Sequence, residues 1–416
     1  MTKKCTNCGF DNLSFAQFCS ECGHKLGEEP SRTISEGQEP ETNQQAKVAT
    51  LSQSRNAAVA ILSVLAVGLV TLLIYFILVK PADEKASGKT NRVTIDHTLF
   101  AQNFWQQSPL PFQGGVRSFL VIGNHLLAAT DGGGVFLSSD QGKTWIAANK
   151  GLTNLYCFSL ASTVGGGNIY LGTSQGGVFV SNDNGTSWRE FSNGLPSRKG
   201  KLDEIWYPVI FCFSSVGSSL FIGTTNGVFL KDEDDRLWIP VNNGIPDNTI
   251  VYCLASDGVN LFAGTYDSGV FLSTDKGKSW KRMNAGLTNM TVISLAIIRA
   301  NLLAGTNGGV FLSSDKGKTW ATLSPGLTNS TINALIAGSD KTNRINIFAG
   351  TYGQGIFIST DNGSTWTEYN SGLTNKNIRC FVIDLNGFIY AGIERGPLYA
   401  DYGGVFRTVK PITQGQ

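Results

Sequence analysis

From about residue 100 to residue 410 the chain alternates apolar and polar positions in short runs closed by glycine-bearing turns. That pattern belongs to half-buried strands and not to helices. The runs come in fours. An inner strand such as Val251–Ser256 leads to a second, Leu261–Thr265, then to a third at 269–273, and a fourth begins at Trp280. A box of polar residues closes each third run, as in Ser138-Ser-Asp140-Gln-Gly142-Lys-Thr144-Trp145. The same spacing returns with Asp183 and Trp188, Asp275 and Trp280, Asp315 and Trp320, and Asp361 and Trp366. Two degraded copies fill the register, one ending at Trp238 and one spanning 401–406 and ending at Phe406.

The seven terminal aromatics at 145, 188, 238, 280, 320, 366 and 406 lie between 40 and 50 residues apart. The spacing averages about 43 residues, the period of one four-stranded propeller blade. Seven units therefore predict an all-β, seven-bladed β-propeller over residues 99–410. Alignment on the second strands brings Ser118, Cys157, Cys212, Cys253, Ser294, Ala334 and Cys380 to one inner position. Small residues suit a place where blades converge on a narrow channel. Equivalent cysteines on separate blades point the same way around a ring, which suits pairing poorly, so they are expected as buried free thiols. The last blade can be completed either by residues 100–107, which hold Phe104 and Trp105, or by residues 405–409.

Upstream the pattern changes completely. Residues 27–56 are rich in Glu, Gln, Ser and Thr and nearly free of large apolar residues, so a disordered linker is expected. Residues 57–79 contain no charged side chain. At a rise of about 1.5 Å per residue this stretch reaches roughly 34 Å, enough to cross a ~30 Å hydrocarbon layer as a single transmembrane helix. A secretory signal would have a shorter apolar part nearer the N-terminus, and a buried soluble helix would show a polar stripe. Residues 80–98 then form a second linker and 411–416 a tail.

Composition narrows the partners. Lys+Arg 33 against Asp+Glu 31 give a net charge of +2, too slight for a protein ruled by phosphate contacts, so no nucleic acid is expected. Charged residues make up only 15% of the chain while Gly reaches 49, in keeping with many tight turns.

Cys5-Thr-Asn-Cys8 and Cys19-Ser-Glu-Cys22 are two C-x2-C knuckles ten residues apart. Each offers two thiolates from one turn, and four thiolates complete a tetrahedral zinc ion with no position left for water. One structural Zn2+ is therefore expected, with iron in a rubredoxin-like site as the rival. With Gly9, Asn12, Phe18, Gly23 and Leu26 in register, residues 5–26 resemble the short zinc ribbons at the N-termini of many prokaryotic membrane proteins. That resemblance implies a zinc-ribbon domain over 1–26.

The Ser-x-Asp-x-Gly-x-Thr/Ser-Trp boxes resemble the Asp-box of BNR-repeat proteins, which include sialidases, sortilin and the photosystem II assembly and stability factor family. The resemblance implies a turn between third and fourth strands. Physical chemistry agrees: Asp caps backbone N–H groups, Gly supplies a positive φ and Trp packs beneath. The boxes recur on nearly every blade, whereas an active site is normally built once, so their aspartates are expected to be structural.

Function is expected where the repeats differ, on the face opposite the boxes. Most loops from fourth strand to next inner strand read Gly-Leu-Thr-Asn, but the third blade is entered through an insertion at 195–207 carrying Arg198, Lys199, Lys201, Trp206 and Tyr207. The loops between second and third strands add Tyr266, Asp267, Tyr352, Gln354, Glu394 and Arg395. Aromatic and arginine side chains gathered on one rim suit recognition. These features describe a membrane-tethered propeller that binds a protein or glycan, an assembly or scaffold role that the photosystem II factor resemblance also implies. The alternative is a glycoside hydrolase, sialidase-like or xyloglucanase-like, with Asp203, Glu204, Asp267 and Glu394 as its candidate acids. Two arguments bear on orientation. Lys80, Lys85, Lys89 and Arg92 outnumber Lys47 and Arg55, which favours a cytoplasmic C-terminal side. Zinc thiolates persist best in a reducing compartment and the ribbon resemblance agrees, so the expected arrangement is a cytoplasmic ribbon and an extracytoplasmic propeller.

Overall fold

The computed structural model describes residues 2–4, 11–13, 104–163, 167–200, 204–232, 237–323, 325–327, 329–340, 343–395 and 402–412. The chain divides into two units, Met1–Arg92 and Val93–Gln416. In the first, strand Thr2–Lys4 pairs antiparallel with strand Asp11–Leu13, Lys3 facing Asn12. Cys5, Cys8, Cys19 and Cys22, the apolar stretch 57–79 and both linkers lie outside the described residues. Among the described residues no helix is long and apolar enough to cross a membrane.

The second unit is a seven-bladed β-propeller. Seven four-stranded antiparallel sheets follow one another, and six are built from consecutive chain. The fourth blade runs Val251–Ser256, Leu261–Thr265, Val270–Ser273 and Lys281–Arg282, which matches the expected pattern closely. The seven inner strands touch one another in a closed ring. Five other blades follow the same rule, with second and third strands largely buried and a two-residue outer strand exposed. Apolar burial between adjacent sheets supplies the core, at about 25 cal/mol per Å2 of apolar surface removed from water.

Closure draws on both expected segments at once. Strand Trp105–Ser108 forms the outer edge of the last blade, paired with strand Gly404–Thr408, which is the third strand and pairs in turn with Ile389–Ile393. Phe406 therefore does not end a degraded box. It occupies the third-strand place held elsewhere by Phe136, Phe271 and Phe311, each opposite an alanine of the second strand. The seventh box tryptophan is instead Trp105. Its indole Nε1 donates to the Tyr369 carbonyl at 2.8 Å, as Trp188, Trp280 and Trp320 donate to carbonyls of the blade before.

Every inner strand carries a bulge after its first residue, between Val116 and Ser118, Val251 and Cys253, and so on round the ring. The register corrects the sequence alignment in the second blade. There Ser159 faces Gly172 on the second strand, as Cys212 faces Gly223 and Cys253 faces Gly264, while Cys157 sits two residues earlier opposite Thr173. The second blade differs in its first hairpin, where Ser159 and Gly172 are two residues further apart in the chain than Cys253 and Gly264.

The small side chains of this ring bond to the neighbouring blade and do not simply make room for a channel. Ser159 Oγ donates to the Ile210 carbonyl at 3.0 Å, Ser294 Oγ to Ile332 at 3.4 Å, and the thiols of Cys253 and Cys380 to Val292 and Val116 at 3.8 and 3.5 Å. Each acceptor is the residue just before a bulge, where the ladder is interrupted and a carbonyl needs another partner. Ala334 has no donor, and next to it Asn333 Nδ2 bonds Ile378 at 2.9 Å. Cys157, Cys212, Cys253 and Cys380 are all free thiols. Burial pushes Cys157, Cys212 and Cys380 up to about 12, so they stay protonated donors and not nucleophiles.

Candidate functional site

The boxes occupy one face and are internally satisfied. In the first, Thr144 donates its hydroxyl and its N–H to Asp140 at 2.6 and 2.9 Å, and Ser138 Oγ donates to the same carboxylate at 2.9 Å. Ser138 Oγ in turn accepts from the Gly142 N–H at 2.8 Å. Gly142 has φ 76°, and the residue before it, Gln141, also turns left-handed at 62°. Asp183, Asp275, Asp315 and Asp361 repeat the arrangement. The hydroxyl and N–H of Thr144 draw the Asp140 carboxyl down to about 2, and those of Thr319 do the same for Asp315. These carboxylates are ionised, separately caged turns, which leaves them nothing to do in acid–base chemistry.

On the other face, turns between second and third strands are hydrogen-bonded to the loop entering their own blade. Tyr266 N–H bonds the Ile250 carbonyl, Tyr352 that of Thr331 and Glu394 that of Asn377. Those bonds hold the variable side chains at the rim. Tyr266, Tyr352 and Trp206 are about half exposed, joined by Tyr156 and Ile205. Asp267 is exposed and accepts from Ser268. Gln354 accepts from Ser330 Oγ at 2.6 Å, and Arg395 is exposed. The insertion before the third blade folds as a small hairpin, Arg198 opposite Trp206 and Lys199 opposite Ile205. Lys201 and Asp203 lie outside the described residues. The hairpin leans toward the preceding loop and encloses a groove of about 680 Å3 lined by Asn154, Tyr156, Gln175, Glu190, Trp206 and Tyr207. Burial and the Glu190 carboxylate push Tyr207 up to about 12, so its phenol stays protonated and is no nucleophile.

The centre of this face was not foreseen. The bulge residues are Arg117, Phe158, Phe211, Tyr252, Ile293, Asn333 and Arg379, one per blade in chain order. Exempt from the ladder, the bulge residues of neighbouring blades reach one another. Phe158 and Phe211 rings lie 6.0 Å apart, Phe211 and Tyr252 5.1 Å, and Tyr252 meets Tyr266 of the rim edge-on at 5.9 Å. The Arg117 guanidinium stands 4.8 Å over Phe158 and pairs with Asp131 at 2.6 Å and Glu394 at 3.0 Å. Its Nε has no hydrogen-bond partner among the described residues. Burial pushes the Arg379 guanidinium below its usual range; Glu394 opposes that shift and the like charge of Arg117 adds to it.

The mouth thus unites Glu394, an expected rim residue, with two arginines that sequence reasoning passed over. A signal existed. The residue before the small ring position varies from blade to blade while its neighbours stay apolar or small, but the misplaced second blade put Tyr156 there in place of Phe158. Among the described residues no group of three or more His, Cys, Asp or Glu could hold a metal ion.

Residues 248–387 match a family described as the DUF6242 beta propeller domain. Solved structures of similar shape include the extracellular domain of the one component system BT4673 from B. thetaiotaomicron, 18% identical with a TM-score of 0.58. That match covers 73% of this chain and 40% of the other, so the chain spans about two fifths of that domain's length. YCF48 from Cyanidioschyzon merolae is 15% identical with a TM-score of 0.54 over 74% of this chain and 99% of its own, and a YCF48 has also been solved bound to a D1 peptide. The GH74 enzyme of Niastella koreensis is 15% identical with a TM-score of 0.52 over 71% of this chain and 43% of its own. No curated protein sequence matches the chain. At these identities the likeness establishes the propeller fold alone.

Proposed function

We propose that this chain is a membrane-tethered binding module of the BNR/Asp-box repeat type. In this reading residues 57–79 span the membrane, Cys5, Cys8, Cys19 and Cys22 hold one structural zinc on the cytoplasmic side, and the propeller meets a protein or glycan partner on the extracytoplasmic side. One observation carries the binding role: Tyr156, Trp206, Tyr266 and Tyr352 stand half exposed on a single face around an arginine-bearing mouth. Amphipathic aromatics and Arg are the residues that dominate recognition surfaces. The ribbon is supported by the hairpin Thr2–Lys4/Asp11–Leu13, whose strands flank Cys5 and Cys8 in sequence, and by a donor set of four thiolates that suits zinc. The solved likenesses include extracellular domains and a protein captured with a peptide, which fits a displayed binding surface.

The role is non-catalytic. A glycosidase needs one protonated and one ionised carboxyl across a cleft. Glu394, the candidate acid nearest the axis, is committed to Arg117 at 3.0 Å. The likeness to a GH74 enzyme keeps hydrolysis as the second reading. Cross-linking pull-down with the full-length chain and its Trp206→Ala/Tyr266→Ala/Tyr352→Ala variant tests the proposal. The partner should be retained by the former and lost by the folded variant. Equal retention sinks the rim as the binding surface, and turnover of a glycan that vanishes in Asp267→Asn replaces binding with hydrolysis.

A further inference from the structure

The ring at the channel mouth is chemically lopsided. Blades two to five present Phe158, Phe211, Tyr252 and Ile293, an unbroken apolar arc. Blades six, seven and one present Asn333, Arg379 and Arg117, a polar and cationic arc. Arg379 is the outlier among them. Arg117 is held by two carboxylates and the Asn333 amide by the Ile378 carbonyl, but Arg379 has no hydrogen bond or ion pair among the described residues. Arg379 is half-buried, and its guanidinium carries five N–H donors in a planar fork that matches a bound oxyanion. Arg117 adds a second unfilled donor at Nε. Two independent features, an unpaired charge and an apolar wall facing it, thus define what is missing between them.

We propose that the mouth is a binding site for a small amphipathic organic acid, its carboxylate against Arg379 and its apolar body against Phe211, Tyr252 and Ile293. The proposal deepens the binding role above and rests on the same face being the functional one. A carboxylate accepts two parallel N–H bonds from a guanidinium fork, which a single hydroxyl cannot do. An aryl or alkyl body gains from displacing water along the aromatic arc, where ring pairs already meet edge to face. Glu394 sets the strength of the site. It is shared electrostatically between Arg117 and Arg379, so it competes with the ligand for both.

Calorimetric titration of the full-length chain with 3-phenylpropionate and with its neutral amide tests this. The acid should bind at least tenfold more tightly than the amide. Arg379→Gln should erase that preference, and it removes no hydrogen bond that the fold uses. Glu394→Gln should tighten the acid several-fold by releasing Arg117, a gain that damage to folding cannot mimic. Equal affinity for acid and amide, an unchanged Arg379→Gln variant, or binding only when the carboxylate ends a peptide would each overturn the free-acid site. If the acid fails while the rim variant still loses its partner, the binding-module reading survives and only the mouth assignment falls.

Discussion

The indole Nε1 of Trp105 donates to the carbonyl of Tyr369 at 2.8 Å across 264 residues of chain. Phe104 lies against the same Tyr369, ring centres 4.0 Å apart, and the N–H groups of Phe104 and Trp105 both reach the Ser371 carbonyl at 3.0 Å. One short strand thus supplies the interblade bond, the aromatic packing and the edge pairing that turn six consecutive sheets and an incomplete seventh into a closed ring.

Replacement of Trp105 by Ala should therefore be unusually costly for a two-sided aromatic. The side chain is 1% exposed, and losing a buried Trp typically costs about 3–5 kcal/mol, with the orphaned Tyr369 carbonyl adding roughly 1 kcal/mol or more. The midpoint of thermal unfolding should fall further for Trp105→Ala than for Trp238→Ala, which is equally buried but bonds the Phe191 carbonyl of the blade next to it in the chain. Equal losses would show that closure adds nothing beyond local packing.

Cys380 is expected to tolerate a hydroxyl better than a hydrocarbon. Its thiol bonds Val116 at 3.5 Å across the seam between last and first blades. Cys380→Ser keeps a donor and should change stability little, whereas Cys380→Val removes the donor, strands the Val116 carbonyl and crowds Gly392, costing about 1–3 kcal/mol. Chemical denaturation of the two variants decides between a hydrogen-bonding role and simple filling of space.

The box aspartates impose a pH dependence of definite sign. In the fold Asp140 and Asp315 are drawn to about 2, below the ~3.9 of an unfolded Asp. A depressed carboxyl contributes stability that is fully present above the unfolded value and disappears as pH falls through the folded one. The unfolding midpoint should thus be insensitive to these groups from pH 5 to 7 and decline between about pH 4 and 2. Asp140→Asn should flatten part of that decline, and an unchanged acid limb would place the loss elsewhere.

One zinc ion per chain is expected in full-length protein, and none in the Cys5→Ser/Cys22→Ser variant. Elemental analysis after dialysis against a weak chelator checks this. Iron in the wild-type protein would replace the zinc ribbon by a rubredoxin-like centre, and unchanged zinc in the variant would remove both.

The repeats were legible because each box is local: Ser138, Asp140, Gly142 and Thr144 satisfy one another within seven residues, so the signature survives in one dimension. Closure was half legible. Phe104 and Trp105 stood out by spacing, yet Phe406 imitated a box aromatic because third strands also carry a phenylalanine beside glycine and valine. The mouth was least visible. Arg117 and Arg379 are 262 positions apart in the numbering and become neighbours only when the ring shuts. A bulge leaves no periodicity to read, since it is a break in periodicity. Trp206, Tyr207 and Tyr266 were found by departure from the consensus, which marks a rim but not the chemistry at its centre.

The bulges have a bearing on how such a protein could diversify. Since the residue after Val116, Val251 or Ile378 takes no part in any ladder, no strand pairing depends on its identity. Seven interchangeable slots around one aperture amount to a dial, on which a new ligand can be selected by swapping single side chains while the wheel that carries them stays as it is.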